Sequence, residues 1–338
     1  LINDKRFLIM GKTYKNAGVD IEAGENIVKN IKPLVRATFN EKVLTDIGLF
    51  GGFYDGKFAD MEHPVLVAST DGVGTKLIIA FLTGINNTVG ECLVNHCTND
   101  ILCCGAKPLF FLDYFATGSL KRGVTEQVIE GFARGCKNNG CALIGGEIAE
   151  MPSIYKDNEY DVSGTIVGVV EKKLIVDDKR ISKGDIMIGL TSSGLHTNGY
   201  SLARAALLDD YSVDTFFEET GKTLGEMLLA VHKSYLKIVH PLVLDGLLNG
   251  ISHITGGGIV GNTSRVVPDG LSMKIDWNSW EIPFIFDLIQ KTGEISAEEM
   301  RRVFNLGIGM VLIIKPENVN EVMAKCSSEN PIIIGEIT

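Results

Sequence analysis

Hydrophobic positions recur along the chain in two rhythms, and the switches between them outline the fold. Over 24–39 and 124–138 apolar residues return every three or four positions, which predicts helices; the first runs through Pro33 and the second ends at Gly140. Val89, Leu93, Cys97, Ile101 and Cys104 keep the same spacing and predict a helix over 88–104. Short apolar runs between them predict strands: "PVLVAST" from 64, "PLFFLDYFA" from 108, "CALIGGE" from 141 and "YDVSGTIVGVV" from 160. The first strand empties into "DGVGTK", with a helix expected from there to about position 82.

Near 171–184 the text turns polar and charged, "EKKLIVDDKRISKG", which marks a domain boundary. Beyond it come a strand "DIMIGLTSSG", helices near 199–208 and 223–248, the turn "HITGGGIVGN", a helix at 283–291, a strand "GMVLIIKP", a helix at 317–326 and a last strand "PIIIGEI". Mixed strands and helices in both halves predict an α/β to α+β protein of two domains. The expected division is a leader or remnant over 1–12, a first domain over 13–173 and a second over 174–338, with Met10 as the natural start of a free-standing chain.

Composition narrows the function classes. The 338 residues suit two domains at about 150 residues each. Glycine is frequent, at 38 residues against 9 prolines, which suits tight turns rather than disorder. The formal charge is −10 and no Lys/Arg cluster stands out, which argues against a nucleic-acid partner. An anionic substrate would therefore need a metal, a few cations or backbone N–H groups. No apolar run approaches about 20 residues, so no membrane span is expected. Seven cysteines without a C-x-x-C pair read as reduced thiols of a cytoplasmic protein. Cys92, His96 and Cys97 lack a second pair to complete a zinc tetrahedron, so they are expected in the core.

One phosphate motif is a decoy: "GGFYDGKF" over 51–58 fits G-x-x-x-x-G-K, but Phe58 stands where a P-loop needs a hydroxyl. "STDGVGTK" is different. Gly72 and Gly74 permit a sharp turn and close approach to a ligand, Asp71 follows the strand, and Lys76 adds a cation. Asp100 lies on or beside the apolar stripe of its helix, Asp113 interrupts "LFFLDYF", and Glu147 ends "ALIGGE". A carboxylate in such settings is costly unless paired or metal-bound. Four of them at comparable places point to a magnesium–phosphate site, because hard oxygens suit Mg²⁺ and Mg²⁺ suits phosphates. In the second half, "TSSGLHTNGYSLAR" combines donor-rich Ser192 and Ser193 with His196 and Asn198 at a helix start, which is either an anion site or a simple N-cap. "HITGGG", with His253 and Gly256, Gly257 and Gly258, is either a phosphate cradle or a tight turn.

These segments, with "YKNAGVDIEAG", "GAKPLFFLDYFATG", "GCALIGGEIAEMP", "SSGLHTNGYSL" and "FNLGIGM", occur in one order over about 13–315 and resemble the phosphoribosylformylglycinamidine cyclo-ligase (aminoimidazole ribonucleotide synthetase) family. The resemblance implies an ATP- and Mg²⁺-dependent ligase of purine biosynthesis that phosphorylates the formyl oxygen of formylglycinamidine ribonucleotide. A nitrogen then displaces phosphate and closes the imidazole ring, giving aminoimidazole ribonucleotide and ADP. It also implies a homodimer whose first domains share a barrel of strands. Carried over, Asp71, Asp100 and Glu147 would hold Mg²⁺–ATP. Lys15, Gly72, Gly74, Thr75, Lys76, Asn99 and Asp113 would line the nucleotide. His196, Asn198, His253, the two serines and the 256–258 glycines would face the ribonucleotide or the transferred phosphate. Two residues depart from the pattern: His96 stands where an apolar residue such as Met is expected, and Ile148 where Thr is. A lone histidine there reads as packed rather than catalytic. A second reading is another phosphoryl-transfer member of the wider superfamily. A third, from a different class, is a non-catalytic nucleotide-binding protein.

Overall fold

The computed structural model describes residues 13–338; the expected leader and Met10 lie outside the described residues. The first half holds α1 (Ile21–Arg36), β1 (Pro64–Gly72), α2 (Leu77–Thr83), α3 (Val89–Cys103), β2 (Lys107–Thr117), α4 (Val124–Asn139), β3 (Ala142–Glu150) and β4 (Tyr160–Glu171). Its sheet runs β1-β4-β2-β3, antiparallel except where β2 and β3 pair in parallel. Alternate residues of β1 sort to two faces. Val65 and Val67 join the core under the helices, while Leu66 stays 64% exposed on the other face, with Leu112 and Tyr114 of β2 also exposed. Helices α3 and α4 approach closely because they meet at glycines: a Cβ on Gly90 would sit 2.3 Å from the Val128 carbonyl oxygen.

The second half holds β5 (Ile186–Thr191), α5 (Tyr200–Leu207), a short hairpin of β6 (Phe216–Phe217) and β7 (Lys222–Thr223), α6 (Leu224–Leu228), α7 (Leu236–Leu244), β8 (Gly250–His253), α8 (Gly258–Thr263), β9 (Met273–Ile275), α9 (Phe284–Thr292), α10 (Ala297–Val303), β10 (Ile308–Ile314), α11 (Val319–Lys325) and β11 (Ile332–Ile337). The sheet β8-β10-β5-β11-β9 is antiparallel throughout. Its central strands are covered on both sides, which explains the unbroken apolar run of β10. Met310, Leu312 and Ile314 pack with Val239 and Leu242 of α7, while Val311 and Ile313 pack with Ile259 of α8. No helix of the described residues is long and apolar enough to cross a membrane.

Two expectations change. Strands β6 to β9 and helix α10 were not anticipated; the strands have only two to four residues and the helix carries four charges in seven. The helix expected over 223–248 is two helices, α6 and α7, separated by a non-helical segment. The reason lies in the other domain. Side chains of α2's entry turn and of α3 take the backbone groups that a continuous helix would have used: Lys76 donates to the Ala230 carbonyl, Asn95 to that of His232 and Asn99 to that of Lys233, while Asn99 accepts the Tyr235 N–H. Helix α3 is thus the hub of the molecule. It is buried nearly all round, with apolar residues toward the first sheet and amides toward the second domain.

Candidate active site

The site lies where β1 ends, α3 passes and the second domain closes over both. Ser69 and Asp71 are two apart on β1 and share the face toward α3; Ser69 donates to Asp100 Oδ2 at 3.1 Å. His96 and Asp100 are one turn apart on α3. His96 Nε2 lies 2.8 Å from Asp71 Oδ2 and 3.6 Å from Asp100 Oδ2. The second domain adds three imidazoles. His253, at the end of β8, places Nδ1 2.8 Å from Asp100 Oδ1 and Nε2 3.0 Å from His232 Nε2. His196 stacks on His232 with ring centroids 4.0 Å apart. Thr197 Oγ1 bridges His96 Nδ1 at 2.7 Å and His232 Nδ1 at 3.3 Å.

Solvent reaches this cluster on its carboxylate side. Asp71 keeps 43% of its side-chain surface and Asp100 27%, against 5% for His96. Burial would push both acids up. Burial is the largest single influence, but the hydrogen bonds and charges together outweigh it, from His96, the Gly72 N–H and His253 for Asp71 and from His253, His96 and Ser69 for Asp100, so both are held below the usual carboxylate range. Burial would lower His96, but its hydrogen bond to Asp71 and the charges of Asp100 and Asp71 lift it above the ordinary imidazole value. Burial, aided by neighbouring cations, drives His196 and His232 well down, so these stay neutral. The result is two anions at a solvent-facing mouth, backed by a layered set of imidazoles. Asp71, His96 and Asp100 bring one ligand atom each within 4.8 Å of one another. Two ionised, partly exposed carboxylates of this kind fit Mg²⁺ held together with phosphate oxygens.

Other expected residues fall elsewhere. Glu147 is exposed on β3, opposite Tyr114 of β2, and lines a separate cavity of about 810 Å³ with Asp113 and the loop 46–52. Three strand spacings, about 14 Å, separate β3 from β1. One chain therefore does not bring Glu147 to a single ion shared with Asp71 and Asp100. Asp113 sits between Gly164 and Gly146 on the neighbouring strands, and burial raises its pKa to about 7. Lys15 pairs with Asp20 at 2.6 Å on the rim of another pocket, with Arg122 and Glu126. Lys76 was expected to face phosphates. It is fully buried instead, its ammonium donating to the carbonyls of His196 and Ala230 and to Cys92 Sγ in the domain seam. Asn99 is likewise spent on the seam.

His196 and His253 are also more enclosed than a substrate-facing role requires. His196 adopts a left-handed backbone (φ 61°), its Nε2 accepts the Ser193 N–H, and its buried Nδ1 has no hydrogen-bond partner. Both ring nitrogens of His253 are engaged. Closer to the mouth, Gly72 N–H donates to Asp71 Oδ1 and Thr75 lies 3.0 Å from Ser201 Oγ, while Gly74 takes φ 65°. Ser192 donates to the Gly194 carbonyl and Ser193 to that of Val231. Asn198 Oδ1 abuts Gly256, and a Cβ on Gly258 would sit 1.9 Å from the Arg301 carbonyl oxygen, so that turn tolerates only glycine. His232, Lys233 and Thr197 were missed. Their signal was the polar triplet "HKS" breaking an apolar helical run, and Thr197 was hidden among donors already counted as a cap.

The two domains are those of the AIR synthase related proteins. The N-terminal domain model of that group matches residues 56–170 and the C-terminal domain model residues 182–338. Solved structures of the same fold include a thiamine-monophosphate kinase from Stenotrophomonas maltophilia (TM-score 0.68, 16% identity, 91% of this chain and 93% of that one) and a hydrogenase maturation protein, HypE, in complex with ATP (TM-score 0.69, 16% identity, 95% and 88%). Relatives named phosphoribosylformylglycinamidine cyclo-ligase are far nearer in sequence. That of Caldanaerobacter subterraneus subsp. tengcongensis is 50% identical over 96% of this chain and 97% of its own, and that of Trichlorobacter lovleyi 48% over 96% and 94%. The chain belongs to the phosphoribosylformylglycinamidine cyclo-ligase family.

Proposed function

We infer that the chain is an ATP-dependent ligase that cyclises formylglycinamidine ribonucleotide to aminoimidazole ribonucleotide in purine biosynthesis. The observation that carries this reading is the near full-length match, at about half identity, to relatives bearing that activity's name. The seam supports it. Asp71 and Asp100 are ionised, adjacent and open on one side, so they would hold Mg²⁺ against the nucleotide's phosphates. Magnesium–ATP would supply the phosphoryl group that turns the formyl oxygen into a leaving group and would neutralise its charge. The backbone of Gly72 to Thr75 borders the mouth beside Asp71. Asn198 and the 256–258 turn would face the ribonucleotide from the second domain. His253 and Ser69 hold Asp100, and His96 holds Asp71; these are positioning residues, whose fixed geometry keeps the two substrates aligned for closure. Turnover with ATP, Mg²⁺ and formylglycinamidine ribonucleotide is expected to yield ADP and aminoimidazole ribonucleotide in equal amounts. ADP without the imidazole would point to a different acceptor and to another phosphoryl-transfer reaction.

We further propose a cytoplasmic homodimer built on the open face of the first sheet. Leu66, Leu112, Tyr114 and, on the adjoining loop, Phe50 are exposed there, apolar side chains that a subunit contact would cover. Sedimentation equilibrium at micromolar concentration is expected to give twice the chain mass, and an active monomer would overturn the dimer.

A further inference from the structure

One face of α3 holds a single residue of the second domain at every point. Cys92, Asn95 and Asn99 follow one another at intervals of three and four, so they form one stripe along the helix. Each takes a different part of His232. Cys92 Sγ accepts its backbone N–H at 3.3 Å, Asn95 donates to its carbonyl at 2.7 Å, and the Asn99 amide nitrogen lies 3.2 Å from its ring Nε2. Thr197 Oγ1, 3.3 Å from Nδ1, engages the last polar atom. His232 is fully buried, and all four of its polar atoms are held. Its ring in turn backs the site: Nε2 is 3.0 Å from His253 Nε2, and His253 Nδ1 is 2.8 Å from Asp100 Oδ1.

The stripe has a support of its own behind it. Asn139, the last residue of α4, donates to Asn95 Oδ1 at 2.7 Å and to the Gly135 carbonyl at 2.8 Å, and it accepts the Ser234 hydroxyl at 2.6 Å. Carbonyl oxygens only accept, so both amides are fixed in orientation. The nitrogen of Asn95 must face His232 and its oxygen Asn139, and both amide hydrogens of Asn139 are used. Asn95 and Asn139 are themselves buried. A buried relay in which every donor meets an acceptor is stiff, and one that lacks a partner is not. A line of hydrogen bonds therefore runs from the end of α4 through α3 to His232, and from its ring to the carboxylate at the mouth.

We propose that Asn139 is a positioning residue for the reaction: it fixes the Asn95 amide, Asn95 and its neighbours on the stripe fix His232, and His232 backs the His253 ring that holds Asp100. What is positioned rests on the cyclisation reading, whereas the hold of the relay on the seam is read without any turnover, by hydrogen exchange. Alignment is the quantity at stake, because a displacement of about 1 Å transmitted from outside a site can cost about 100-fold in rate. A purely structural residue would lower the melting temperature and leave kcat of the folded chain intact.

The test is Asn139→Asp in the full chain. It keeps the shape and replaces two N–H donors by an acceptor, so Asn95 can serve it only by turning its amide and presenting an oxygen to the His232 carbonyl. With ATP, Mg²⁺ and formylglycinamidine ribonucleotide, kcat is expected to fall about 10–100-fold while KM for ATP stays within about threefold, since Asp71 and Asp100 remain. The backbone amides of 231–235 are expected to exchange at least about tenfold faster. Asn95→Ala combined with Asn139→Ala is expected to lose no more kcat than Asn95→Ala alone, because the two act in one line. Near-UV circular dichroism reports whether each variant is folded; if Asn139→Asp is not, Asn139→Ala decides by the same readouts. Unchanged kcat in a folded variant, or losses that multiply in the double variant, would overturn the positioning role. A wild-type chain that makes no imidazole would overturn the cyclisation reading instead, and exchange then decides the relay: it stands if the variants exchange faster and falls if they do not.

Discussion

The two ends of the first sheet present carboxylates in almost the same sequence setting and treat them in opposite ways. At the β1 edge, Asp71 and Asp100 meet histidines from α3 and from the second domain and are held ionised. Toward the β3 edge, Asp113 and Glu147 border a large cavity. Asp113 has no cationic partner among the causes that set its pKa, which burial raises to about 7, and Glu147 projects into solvent. Interrupting an apolar strand with an acid therefore does not by itself bring it a cationic partner. What keeps the acids of the first edge ionised is the arrival of a second domain with donors of the right reach. Desolvation is shared by both edges, and only one of them offsets it with partners.

The largest effect that probes this contrast is on turnover. Asp100→Asn removes a charge from the mouth and one of the two oxygens that accept from His253 and Ser69, so kcat/KM is expected to fall by at least about 1,000-fold with little change in melting temperature. Glu147→Gln in the same chain is expected to cost less than about tenfold, since it touches none of these groups. Equal damage from the two would break the comparison. It would mean that the β3 edge joins the chemistry, for example across the proposed dimer, in a way one chain does not display.

The contrast also explains what could be read from the sequence. Period and turn chemistry located α1, α3 and α4 and the four strands of the first sheet, because these elements bury one clear face and end at glycines such as Gly140. Asp71 and Asp100 were legible as acids out of place. Their partners were not. His96 looked like a lone polar residue on a packed helix, and His232 lay inside an expected helix that tertiary hydrogen bonds from Asn95 and Asn99 interrupt. Lys76 stands out in the sequence, but nothing local says that two carbonyls of the far domain and Cys92 of α3 will enclose it. Local pattern reports the cost of a buried charge, and only the assembled seam reports what offsets it.

The smaller effect is on stability, at the other edge. A carboxyl whose pKa is 3.8 when exposed and about 7 in the fold binds a proton more tightly folded than unfolded. Its contribution is therefore present at acid pH and lost as pH rises from about 4 through about 7, after which it stays flat. Asp113→Asn keeps the shape that fits beside Gly146 and removes the titration. Relative to wild type, the variant is expected to gain stability steadily over that window, by up to about 4 kcal/mol at pH 8 and less in proportion to the solvent the side chain keeps. Urea unfolding of both chains at pH 4, 6 and 8 reads the difference directly. A gain that grows with pH confirms an acid buried without a partner. A difference that is flat, or that turns against the variant at high pH, would mean Asp113 is ionised and paired like Asp100, and the two edges of the sheet would then differ in nothing but exposure.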